Sequence, residues 1–133
     1  MLYICDPINV SIVNREISNV SVSFNDSTKI ATLSWTPPAT NVDYYKIYML
    51  TSAYDVPTHF TYTTYTYLQL SSLNFKQVTV DKITPLSNNS CEINLSDQSS
   101  NNIFVFVIQT GDYSLPLGQQ ESFGPYMSIR WGF

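Results

Sequence analysis

His59 is the sole imidazole in the chain, so histidine-based acid–base or metal chemistry has one place to reside. It follows Pro57-Thr58, has no Glu or Cys at ligand spacing, and reads as a surface residue. No Gly-x-Ser-x-Gly elbow presents a serine, and no serine has another base to pair with. Ten acidic residues could in principle supply the paired carboxylates of a glycosidase. Asp6, Asp26, Asp43, Asp55, Asp81, Asp97, Asp112 and Glu121, however, fall mostly where Asp acts as a turn former. Asp97, Asp112 and Glu121 are the set from which a Ca²⁺ site could be drawn, and none lies in an EF-hand loop. The expectation is a non-enzyme with no catalytic residue, no metal and no cofactor. Two cysteines, Cys5 and Cys91, complete the reactive groups. They are expected as buried free thiols; a bridge would close a loop of about 86 residues, worth about 4–5 kcal/mol by chain entropy.

The elements that must position these residues are constrained by composition. The 133 residues are 44% apolar, 14% aromatic and only 12% charged, which suffices for one domain with its own core. Ser, Thr, Asn and Gln make up 47 positions, so the surface is covered by uncharged polar groups, as suits β structure. The net charge of −4, with six Lys and Arg, argues against a nucleic-acid surface, because each neutralised phosphate needs a cation. No apolar run approaches the roughly 20 residues of a membrane span. Leu2, Tyr3 and Ile4 precede Asp6-Pro7 without the pattern of a signal peptide, which leads to the expectation of a protein made in a cytoplasm.

Period-2 alternation dominates the chain, and no window sustains a 3.6-residue period. Val20, Val22 and Phe24 alternate with serines. Asn25-Asp26-Ser27 supplies a turn. Lys29 to Thr36 points Ala31, Leu33 and Trp35 to one side and stops at Pro37-Pro38, which cannot donate to a ladder. Asp43 to Leu50 alternates Tyr45, Ile47 and Met49 with Tyr44, Lys46 and Tyr48. Ile103 to Ile108 is a continuous apolar strand, followed by a Gly/Pro-bearing loop from Thr110 to Phe123. Pro125 to Trp131 forms the last strand. The spacing predicts an all-β sandwich or barrel.

Leu33-Ser34-Trp35-Thr36-Pro37-Pro38-Ala39 followed by Tyr44-Tyr45-Lys46-Ile47-Tyr48 resembles fibronectin type III. That family has a core Trp on its second strand and a Tyr-x-Ile/Val pattern on its third. The resemblance covers roughly Ile17–Met49 and Ile93–Trp131, and departs at the corner before the sixth strand, where Leu95 is present without the family's Pro and Tyr. It implies a single immunoglobulin-like sandwich over residues 1–133 with Leu33, Trp35, Tyr45 and Ile47 in its core. Residues 1–16 precede the first family-like strand and are expected as an N-terminal arm or extra strand, and the stretch over 51–90 departs from the family as a long insertion. The family's Arg-Gly-Asp adhesion tripeptide is absent, since Thr110 precedes Gly111-Asp112.

Within the insertion, Phe60 to Leu70 is a strong β-former expected to make a hairpin with a strand around Val78 and Val80. Its Tyr62, Tyr65 and Tyr67 could pack on an enlarged sheet, form a partner surface, or stack on sugar rings. The Thr110–Phe123 loop places Tyr113, Leu115, Leu117 and Phe123 either back over the sandwich or against a neighbouring subunit. Val10, Ile12 and Val13 of the arm either pack on their own domain or add to another chain's sheet. These elements lead to the expectation of a structural subunit of a virus particle, a bacteriophage capsid decoration or tail accessory protein whose partners are neighbouring subunits. The alternative is an extracellular carbohydrate-binding or adhesion module.

Overall fold

A computed structural model describes residues 15–52, 75–116 and 121–132. The strands are β1 (Ser18–Asn25), β2 (Ile30–Thr36), β3 (Tyr44–Ser52), β4 (Lys76–Gln77), β5 (Ile83–Ser87), β6 (Ser90–Asn94), β7 (Asn102–Gly111) and β8 (Glu121–Trp131). They form two four-stranded antiparallel sheets, ordered β1-β2-β6-β5 and β4-β3-β7-β8. The protein is an all-β sandwich.

Alternation decides which side chains enter the core. Ala31, Leu33 and Trp35 of β2 and Cys91 and Ile93 of β6 line the first sheet's inner face. Ile47 of β3, Phe104, Phe106 and Ile108 of β7, and Met127, Ile129 and Trp131 of β8 meet them from the second. Leu33 is fully buried, Trp35 and Ile47 nearly so, and Tyr45 packs against the same cluster. Trp35 and Tyr45 meet edge to face with centroids 5.1 Å apart, the geometry that ring quadrupoles favour.

The continuous apolar run of β7 has a second consequence. Ile103, Val105 and Val107 point to the outer face, where they join Tyr48, Phe75 and Phe123 in a separate buried cluster. A strand buried on both faces has no polar position to alternate with.

Turns follow their sequence chemistry. The Asn25 carboxamide accepts the Ser27 and Thr28 amides at 2.9 and 3.2 Å, and Lys29 takes a left-handed φ of 61°. At the β5–β6 turn, the Asn89 carbonyl accepts the Trp35 amide and its side-chain amide donates to the Trp35 carbonyl, each at 3.1 Å.

Two expectations change. The strand around Val78 and Val80 shrinks to β4, which pairs Lys76 with Met49 and Gln77 with Tyr48. The Val78 amide donates to Ile47 O at 2.7 Å while its side chain enters the core. The chain then crosses through a 3₁₀ turn at Val80–Lys82 to reach the other sheet, leaving Val80 82% exposed. The loop after β7 is also shorter than Thr110–Phe123. β7 runs to Gly111 and β8 starts at Glu121, four residues ahead of Pro125. A register shift between Val107 and Gln109 places one extra β8 residue there, and such a bulge accommodates a proline within a strand. The arm residues 1–14, the hairpin segment from Phe60 to Leu70 with Tyr62, Tyr65 and Tyr67, and Leu117, His59 and Cys5 lie outside the described residues.

Candidate functional site

The C-terminal end of β7 brings together side chains from three segments. Tyr44 opens β3 opposite Gly111, and Glu121 opens β8 opposite the same glycine. With no Cβ on Gly111, the Tyr44 ring lies directly across its backbone; an added Cβ would collide with the Cζ and Cε atoms of that ring. That position lets Tyr44 Oη donate to Glu121 Oε2 at 2.9 Å. Lys46, two residues along β3 on the same face, reaches the same carboxylate oxygen at 3.6 Å and sits 5.2 Å from the Tyr44 ring centre. Desolvation and the hydrogen bond to Glu121 push the Tyr44 phenol up to about 12. The Lys46–Glu121 pair is over a third exposed on each side, so it orients these groups more than it stabilises the fold.

Tyr113 packs on Tyr44 with centroids 5.1 Å apart at 44°, yet is 68% exposed. Its backbone is tied down: the Tyr113 amide donates to Asp43 Oδ2 at 2.7 Å, and the Asp43 amide donates to Gly111 O at 2.7 Å. Asp112 shapes the turn from beneath. Its Oδ1 accepts the Ser114 amide at 3.0 Å, the Ser114 hydroxyl at 2.6 Å and the Asn41 side-chain amide at 3.3 Å. The Ser114 hydrogen bonds, with smaller contributions from Asn41 and Arg15, hold its carboxyl below the usual carboxylate range. Asp112 is therefore a turn-shaping anion.

The residues singled out from sequence are distributed unevenly. Tyr113 is at the exposed tip, and Leu115, half-buried, donates its amide to Asp112 O at 3.3 Å. Phe123 is on β8, 6% exposed, with its ring 5.7 Å from that of Tyr48 in the outer cluster. Asp97, paired with Lys82, follows β6, at the opposite end of β7 from Asp112 and Glu121. These three acids do not meet, and no group of three metal-ligating side chains occurs among the described residues.

Tyr44 and Lys46 are not marked by residue type, and Asp43 reads in the sequence only as a turn former. Their only sequence signal is that Tyr44 and Lys46 share the β3 face opposite Tyr45 and Ile47. Recognising them needed the β3–β7 register, which sets Tyr44 on Gly111. The assembled surface offers a fixed aromatic ring, a carboxylate and an ammonium. That combination stacks and hydrogen-bonds. No family model matches the chain, and comparisons with curated proteins and with solved structures find no match.

Proposed function

We propose that the chain is a non-enzymatic interaction protein, a structural accessory subunit of an assembly such as a bacteriophage capsid or tail. Its partners would be neighbouring protein subunits, without nucleic acid or membrane. The observation that carries this reading is Tyr113, a large aromatic side chain 68% exposed on a turn held by Asp43 and Asp112. A preordered aromatic loses little entropy when a partner covers it, which is how interface anchors work. The fibronectin type III-like reading is supported by the pairing of β1-β2-β6-β5 with β4-β3-β7-β8 and by Trp35 on the second strand. Immunoglobulin-like sandwiches place A-B-E-D against C-F-G, with an added C′ in some.

Density-gradient fractionation of the native source, followed by mass spectrometry for peptides of this chain, tests the proposal. Co-sedimentation with particles at fixed stoichiometry is expected, with Tyr113→Ala depleting the protein from them. Recovery in the soluble or secreted fraction alone would overturn it.

A second reading, a carbohydrate-binding module, is favoured by the grouping of Tyr113 and Tyr44 with Glu121 and Lys46. An exposed ring beside a carboxylate and an ammonium can stack on one sugar face and hydrogen-bond its hydroxyls. Glycan-array binding that is lost in Tyr113→Ala would select this reading.

A further inference from the structure

Among the described residues, each sheet ends in two edge strands: β1 and β5 in one, β4 and β8 in the other. Open ladders invite pairing with another chain, and proteins guard them with short strands, prolines, charges or bulges. Three of these edges are guarded. β4 is two residues long. β5 contains Pro85 and a register shift at Leu86. β8 has Pro125 at its bulge and the charged Glu121 and Arg130. β1, Ser-Asn-Val-Ser-Val-Ser-Phe-Asn, has neither proline nor charge. Its irregularity, one extra residue between Ser18 and Ser21, is confined to its start and leaves Ser21–Asn25 in regular register with β2. Beside this segment runs a groove of about 350 Å³ between β1 and β8, lined by Val22, Phe24, Ile129 and Trp131.

We infer that β1 is a self-pairing edge. Two copies of the chain dock antiparallel through Ser21–Asn25 about a two-fold axis at Ser23, joining their β1-β2-β6-β5 sheets into one continuous sheet. The occupant is a second copy because a two-fold interface must complement itself, and this segment does. With Ser23 on the axis, Val22 faces Phe24 of the second copy and Ser21 faces its Asn25. Apolar residues meet on one side of the ladder and neutral polar residues on the other. No charge opposes a like charge, the arrangement that most weakens cross-strand pairs. The inference involves the first sheet only and does not depend on the role of Tyr113.

Sedimentation velocity of the full chain across a concentration series tests it. A reversible dimer is expected. Ser23→Lys places two ammonium groups against each other on the axis and should raise the dimer dissociation constant by about ten-fold or more. Ser23 is exposed, so the β-sheet circular dichroism should not change. A second variant is independent of that one. Opposed residues in an antiparallel pair have Cβ atoms about 4.5–5.5 Å apart, close enough for modest adjustment to form a disulfide. In a Cys5→Ser background, Ser23→Cys should cross-link under mild oxidation, whereas Ser87→Cys on β5 should not. A monomer at every concentration, a dimer indifferent to Ser23→Lys, or equal cross-linking from both cysteine variants would overturn the inference. So would a monomer whose β1 amides resist hydrogen exchange, since the chain itself would then cover that edge.

Discussion

Trp35 stands between the sheets with Tyr45 edge-on to its ring, and its backbone is clasped on both sides by Asn89. Replacing a buried aromatic residue with Ala typically costs about 3–5 kcal/mol. Urea denaturation of Trp35→Ala should show a loss in that range. Cys91 makes a different kind of prediction. Its thiol is free and buried, and desolvation, with the adjacent Glu92 carboxylate, pushes it up to about 12 from an ordinary 9.0. The folded protein keeps the thiol neutral while an unfolded chain ionises it near pH 9, so this contribution to stability is complete below pH 9 and declines as pH rises towards 12. The denaturation midpoint of Cys91→Val should therefore fall less between pH 9 and 11 than that of the parent protein. Gly111 is constrained by its neighbour's ring. Gly111→Ala should lift Tyr44 away from Glu121 at a cost of about 1–3 kcal/mol. Ultraviolet titration should then show a tyrosine returning from about 12 towards its ordinary 10.0.

At the scale of elements, the bulge in β8 sets how much of the chain pairs with β7. Gly124 sits beside Pro125 at the bulge, and a Cβ there would collide with Ile17 Cγ1, a core side chain 1% exposed. Gly124→Ala should destabilise the protein by about 1–3 kcal/mol through overpacking, with faster amide exchange in β8 than in β6 as the local signature. Three strands were legible from alternation, Val20 to Phe24, Ala31 to Trp35 and Tyr45 to Met49, and β7 from its continuous apolar run, whereas β5 and β6 emerge from the pairing of β6 with β5 and β2. The bulge was not legible, because nothing in Glu121-Ser122-Phe123 distinguishes a loop from a strand until Thr110 and Gly111 are there to pair with it. Val80 was misplaced for a related reason. Its β propensity is overridden by the need to cross between sheets once Val78 has entered the core.

Over the whole molecule, the polar positions are mostly uncharged Ser, Thr, Asn and Gln. A net charge of −4 on a chain with 12% charged residues leaves little repulsion between copies, and its pI is about 4.6. Light scattering should rise steeply as pH approaches that value and recede on either side, since association is favoured where net charge vanishes. The sequence by itself determined the all-β class, the strands containing Leu33, Trp35, Tyr45 and Ile47, the burial of Leu33, Trp35 and Ile47, and the packing of a half-buried Tyr45 against them. Alternation and turn residues act over a few positions and need no distant partner to be read. Tertiary structure decided the rest. The order of strands in each sheet places Tyr44, Lys46, Tyr113 and Glu121 side by side although they are spread over nearly eighty positions. It also buries Phe123 in an outer cluster and leaves β1, of the four edges among the described residues, without proline or charge. Those relations are properties of register and sheet order, set by which long-range pairings bury the most apolar surface, and no local pattern encodes them.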